Sequence, residues 1–125
     1  MRGRYAAWPR MAFDEAVAVC MRKALARRKG VTERRMFGGL AFLLDGNMCC
    51  GVLGDRLVLR LGAEGAAEAL REPHTRPMDL HGQGDGDMVY VAPEGYATEP
   101  ALRGWVSRAV SLASSLPARG EARSR

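Results

Sequence analysis

The side chains able to do chemistry in this 125-residue chain are three cysteines, Cys20, Cys49 and Cys50, and two imidazoles, His74 and His81. A thiol nucleophile needs a base beside it, and both histidines fall in a stretch with the punctuation of a loop. Cys49 and Cys50 are neighbours in an apolar run of strand character. Successive strand side chains point to opposite faces, so at most one of them faces a site, and buried structural thiol is the simpler reading. Cys20 sits on the apolar stripe of a helix and reads as core packing. A zinc site would need Cys49, Cys50, His74 and His81 around one ion. Adjacent strand thiols cannot readily share a metal, and no C-x-x-C or comparable histidine spacing occurs. The odd cysteine count also argues against a disulfide framework.

Two glycine-bearing motifs are equally spare. Asp79, Asp85 and Asp87 alternate with Gly82, Gly84 and Gly86, but the order lacks the ligand pattern and closing glutamate of a calcium loop. Gly38-Gly39 lies between two strands, leads into no helix and is followed by no phosphate-binding lysine, so it reads as a tight turn or bulge. These residues therefore predict no catalytic residue, no cofactor and no metal site.

What remains is charge. The formal net charge is +5, and it resides entirely at the two ends: Arg2, Arg4 and Arg10 before the patterned region, and Arg119, Arg123 and Arg125 against Glu121 after it. The patterned region is neutral overall but uneven. Residues 12–35 hold Arg22, Lys23, Arg27, Arg28, Lys29, Arg34 and Arg35 against Asp14, Glu15 and Glu33. Arg27, Arg28 and Lys29, together with Arg34 and Arg35, could form a basic patch for phosphate contacts; a solvated helix end explains them equally well. Nothing resembles a helix-turn-helix or an aromatic RNA-binding signature.

The elements that must position these residues follow from periodicity. Phe13, Val17, Cys20, Met21, Ala24 and Leu25 make one stripe of an amphipathic helix running to about Arg28, with Asp14 as N-cap or first-turn acid and Gly30 as its stop. Strand patterns then occupy 31–37, 40–44, 47–53 and 56–61. Asp45-Gly46 predicts a type I′ hairpin, and Gly54-Asp55 makes a similar link. An Ala-rich helix is expected over 63–71, ended by Pro73. Residues 73–87 read as a long loop, residues 88–92 as a strand, and Thr98 with Pro100 opens a final helix striped by Leu102, Trp105, Val106, Ala109, Val110, Leu112, Ala113 and Leu116. The fold class expected is α+β: an antiparallel meander sheet with N-terminal, middle and C-terminal helices packed against it.

At 47% hydrophobic and 26% charged residues, the chain has the composition of one globular domain able to bury its own core. No apolar run is long enough to span a membrane and no secretory signal opens the chain, so a cytoplasmic, membrane-free protein is expected. Residues 1–10 lack periodicity and read as a flexible extension, with Met11 a candidate native start; 11–116 form the domain, and 117–125 a flexible basic tail.

The run Arg35-Met36-Phe37-Gly38-Gly39-Leu40-Ala41-Phe42-Leu43-Leu44-Asp45-Gly46-Asn47-Met48-Cys49-Cys50-Gly51-Val52 resembles the signature of the TfoX N-terminal domain family. The likeness continues through Pro73-His74-Thr75-Arg76-Pro77-Met78-Asp79, Met88-Val89-Tyr90-Val91 and Trp105-Val106, over about residues 11–116. The resemblance implies an α+β fold, no active site, and regulation through partners: long TfoX/Sxy proteins help a cyclic-AMP-dependent activator turn on competence genes. They also carry a C-terminal helical domain that these residues do not include, so the competence role is not carried over.

The motif itself has a structural reading, with Met36, Phe37, Leu40 and Phe42 as sheet core. It also has a functional one, in which Arg34, Arg35, Phe37, Gly38 and Gly39 dock a protein partner in transcription regulation. Nucleic-acid binding through residues 22–35 and the basic ends is the alternative. A small-molecule site or enzyme using Cys50 or His74 is the third reading. The sequence leaves the oligomeric state open.

Overall fold

The computed structural model describes residues 14–36, 38–78 and 86–118. The expectations for residues 1–10, the start at Met11, Phe37, the centre of the 73–87 loop with His81, and the basic residues after 118 lie outside them.

Asp14 caps the first helix, α1 (Glu15–Ala24), by accepting a hydrogen bond from the Ala16 N–H at 2.9 Å. The helix ends one turn earlier than its stripe suggested, and residues 25–30 form turns. Gly30, at φ +83°, closes them with its carbonyl on the Asp45 N–H. Four strands follow as a meander: β1 (Val31–Met36), β2 (Gly39–Leu44), β3 (Asn47–Leu53) and β4 (Arg56–Arg60). The β2–β3 turn has both Asp45 and Gly46 at positive φ, as the Asp-Gly signal requires. The β1–β2 turn is tight and uses Gly38 at φ +80°, while Gly39 already pairs with Met36 as the first residue of β2.

The Ala-rich helix α2 covers Gly62–Ala69, and the Thr75 hydroxyl donates to the carbonyls of Ala69 and Glu72 just beyond it. Part of the expected loop is a strand. Residues Thr75–Pro77 form β5, which pairs antiparallel with β6 (Met88–Val91). A 3-10 turn at Pro93–Tyr96 leads into α3 (Glu99–Ser114), whose N-cap Thr98 accepts from the Ala101 N–H.

The six strands form one antiparallel sheet in the order β1-β2-β3-β4-β6-β5. This is the α+β arrangement expected. The helices pack on one face, where Leu40, Phe42, Val52, Leu57, Leu59, Val89 and Val91 meet Met21 of α1, Ala66 of α2 and Trp105, Val106 and Ala109 of α3 in a single core. The Trp105 indole donates to the Gly95 carbonyl at 3.0 Å, tying α3 to the turn before it. Buried Asn47 donates to the Pro117 carbonyl at 2.8 Å and holds the end of α3 against the β2–β3 turn. Among the described residues no helix is long and apolar enough to cross a membrane.

Candidate functional site

β1 lies at one edge of the sheet, and its residues 32–35 are all exposed. Strand alternation splits its two arginines. Arg35 pairs in register with Leu40 and shares the helix-bearing face, while Arg34 pairs with Ala41 and points to the other. Gly38 is exposed in the turn and Gly39 is buried as the first residue of β2. Arg34, Arg35 and Gly38 are therefore exposed neighbours at one end of β1, Gly39 is buried beside them, and Phe37 lies outside the described residues.

The second predicted group is elsewhere. Arg27, Arg28 and Lys29 sit before Val31, at the opposite end of a strand whose six residues span roughly 17–20 Å. Arg28 turns toward α3, lining a cleft of about 290 Å³ with Ala24, Arg103, Val106, Ser107 and Val110. Between the two groups, Arg22 is occupied: its Nε and terminal amine donate to both oxygens of Glu33, at 2.6 and 3.0 Å. That hydrogen bonding holds the Glu33 carboxyl below, and the Arg22 guanidinium above, their usual values. Residues 22–35 are thus two basic clusters separated by a neutralised pair.

The thiols are placed differently from expectation. Cys20 is exposed, not in the core. It lines a groove of about 280 Å³ formed with Val17, Lys23, Tyr96, Thr98 and Leu102. The buried stripe of α1 is Ala18, Met21 and Leu25, which at 100° per residue lie about 100–160° away from Cys20. Cys49 and Cys50 do not fall on opposite faces. A β-bulge breaks the β2–β3 register between Phe42 and Leu43, so that Cys50 pairs with Phe42 and Met48 with Leu43. Cys49 is the extra residue, and both thiols are buried in the helix-side core.

There the two thiols hydrogen-bond, lowering Cys49 and raising Cys50 from the ordinary thiol range. Burial raises Cys50 further, and the Arg28 charge favours the Cys49 thiolate. His74 is exposed at φ +70° in the turn before β5, three strand positions or about 14 Å across the sheet from β3. The buried thiols of Cys49 and Cys50 and the His74 imidazole do not converge. No group of three or more metal-ligating side chains occurs among the described residues.

One constellation was missed because β5 was missed. The register aligns Arg34, Ala41, Gly51, Val58, Tyr90 and Arg76 across all six strands. This row lies on the face opposite the helices, and its buried members Ala41 and Val58 are not part of the helix-side core. Arg56 and Arg60 alternate with core-facing Leu57 and Leu59 and so share this face. The Arg56 guanidinium lies over the Tyr90 ring, 4.3 Å from its centroid. Arg60 pairs with Asp87 at 3.0 Å. The outward alternation of Arg56, Val58 and Arg60 was a readable signal for half of this cluster.

Comparison with known proteins gives one match. The family model described as the TfoX N-terminal domain matches residues 23–113, which contain every strand, α2 and nearly all of α3. No curated protein and no solved structure matches the chain. Since the matched segment is most of the sequence and carries the Arg34 to Val52 hairpins together with the closing Trp105-Val106, the chain belongs to the TfoX N-terminal domain family.

Proposed function

We propose that this chain is a non-enzymatic regulatory module of the cytoplasm that docks a protein partner linked to transcription through the exposed edge of β1. The observation that carries this reading is the edge itself. Residues 32–35 are exposed in succession on a strand that pairs only with β2 among the described residues. An edge strand offers main-chain donors and acceptors to an added strand, and its side chains select the partner. Arg34 and Arg35, projecting to either side of that edge, favour an acidic segment and discourage two copies from pairing edge to edge. The distance between the buried thiols and His74 supports the non-enzymatic part. A continuous phosphate-binding patch over 22–35 is the weaker reading, because Arg22 is committed to Glu33 and Arg27–Lys29 lie at the far end of β1.

The test is affinity capture from host extract by the full chain and by the doubly reversed variant Arg34→Glu with Arg35→Glu, alongside transcript profiling of a deletion strain. The expected result is a component of the transcription apparatus retained by the parent, lost by the variant at unchanged melting temperature, and altered transcripts on deletion. Recovery of no such component, with unchanged transcripts, overturns the proposal.

A further inference from the structure

Between α1 and α3 lies a cleft that neither the β1 edge nor the thiols use. It holds about 290 Å³ and is lined by Ala24 and Arg28, at the end of α1 and in the turns after it, and by Arg103, Val106, Ser107 and Val110 of α3. Positions 103, 106, 107 and 110 are three and four apart, so one stripe of α3 supplies that whole wall. Val106 and Val110 are buried and form the floor, Ala24 is half-buried beside them, and Arg28, Arg103 and Ser107 are exposed at the rim. The rim is cationic, and among the described residues no carboxylate lines it. Arg28 makes no ion pair among the described residues. Arg103 has Glu99, one turn back on α3, at 3.5 Å, but both side chains are more than half exposed, and water screens such a pair. On the adjoining segments, Glu33 is held by Arg22 and Asp45 lies against Gly30.

We propose that this cleft binds a small organic phosphate, Arg28 and Arg103 holding the phosphate from the α1 and α3 sides while the organic body rests on Val106 and Val110. The chemistry of the lining selects that ligand. Two guanidinium groups facing one space call for a dianion, and a phosphate monoester supplies close to two charges and three acceptor oxygens, where a carboxylate supplies one charge and two. The apolar floor selects for an organic body, since a bare ion leaves Val106 and Val110 uncovered. A volume of about 290 Å³ is at the low end for a ligand site, and it holds a single ring with its phosphate rather than a whole nucleotide. This goes beyond partner docking at the β1 edge. Arg28 lies before Val31, at the opposite end of β1 from Arg34 and Arg35, so either reading can fail without the other.

The experiment is isothermal titration calorimetry of the full chain with phenyl phosphate, inorganic phosphate and benzoate. It is repeated on Arg28→Ala, Arg103→Ala and, as a control outside the cleft, Arg71→Ala. All three arginines are exposed, and melting within about 2 °C of the parent shows that each variant keeps the fold. Phenyl phosphate binds one to one with a Kd below about 1 mM. Each cleft substitution removes charged hydrogen bonds and weakens binding by about tenfold or more, while Arg71→Ala leaves it unchanged. Inorganic phosphate and benzoate each bind about tenfold or more weakly than phenyl phosphate, the first for want of the apolar contact and the second for want of the second charge. Four results overturn the proposal. They are no saturable binding of phenyl phosphate; binding that survives either cleft substitution; inorganic phosphate bound as tightly, which marks an adventitious ion only; and benzoate bound as tightly, which assigns the cleft to a carboxylate. Displacement of phenyl phosphate by oligothymidylate at equal or lower phosphate concentration also overturns it, and assigns the arginines to a nucleic-acid backbone.

Discussion

Replacing Trp105 by Phe separates three contributions that meet at one side chain. The indole is buried in the helix-side core, its N–H donates to the Gly95 carbonyl at 3.0 Å, and the Arg108 guanidinium lies 4.4 Å from its ring centroid. Losing the hydrogen bond leaves a part-buried carbonyl without its donor, a cost of about 1 kcal/mol. The smaller ring buries roughly 40 Å² less apolar area, worth about 1 kcal/mol at 25 cal/mol/Å². A weaker cation–π contact with half-buried Arg108 adds about 0.5 kcal/mol. The total is about 2.5 kcal/mol. A chain of this length has an unfolding entropy near 0.26 kcal/mol/K at its midpoint, so Trp105→Phe lowers Tm by about 10 °C. Calorimetry on the parent, Trp105→Phe, Arg108→Ala and the double variant completes a cycle, with a coupling of about 0.5 kcal/mol expected between the two residues. A Tm within about 2 °C of the parent for Trp105→Phe would refute the reasoning, because it would mean the indole neither fills the core nor bonds the Gly95 turn.

The other predictions concern the thiols, the Arg22–Glu33 pair and the turn at Gly30. Under native conditions a thiol reagent modifies Cys20 promptly and leaves Cys49 and Cys50 protected, whereas all three react in denaturant; prompt native labelling of Cys50 would contradict its place in the core. The Arg22–Glu33 pair is well aligned but its side chains are 42% and 39% exposed, so Glu33→Gln costs about 0.5 kcal/mol and lowers Tm at pH 7 by about 2 °C. The Glu33 carboxyl is depressed in the folded state, chiefly by the Arg22 hydrogen bond. Its contribution is therefore present above the unfolded carboxyl value near pH 4.3 and is lost as pH falls through the folded value, where parent and variant melt together. A Tm difference that persisted in strong acid would exclude this origin. Gly30→Ala places a Cβ against the Asp45 carboxylate at a positive φ. It costs about 2 kcal/mol, or about 8 °C, with part of the loss recovered in an Asp45→Gly background; no recovery would show that the collision is not the cause.

The meander was legible because its turns are chemically explicit: Asp45-Gly46 and Gly54 sit where positive φ is required. The start of the last helix was legible in Thr98 and Pro100, and most of its buried face in the stripe from Leu102 to Ala113, although Leu112 and Leu116, read as part of that stripe, are only half-buried. Other features were hidden for identifiable reasons. β5 has three residues, one of them Pro77, at the far edge of the sheet. Edge positions tolerate proline and need no long alternation, so a loop-like composition concealed it. The bulge that brings Cys49 and Cys50 to one face leaves no mark in an alternating pattern. Cys20 was misread because a stripe drawn through Phe13 and Val17 leaves out Ala18, whose small side chain is wholly buried and marks the true centre of the packed face.

For the candidate site, adjacency in sequence was a poor guide to adjacency in space. Arg27–Lys29 and Arg34–Arg35 are close in number yet lie at opposite ends of β1, while Arg34 and Arg76, distant in number, end one cross-strand row. Register connects residues across a sheet, and it follows only once every strand, including β5, is known.

The central claim, that the exposed edge of β1 is the surface on which a partner docks, is tested most directly by site-specific photo-crosslinking in the host cell. A photoreactive residue replaces exposed Thr32 on β1 in one strain and exposed Glu68 on α2 in another. The account predicts a discrete crosslinked protein from position 32, absent from position 68 and abolished when Arg34 and Arg35 are reversed to glutamate. Crosslinks from position 68 alone, or a product at position 32 indifferent to the charge reversal, would contradict it.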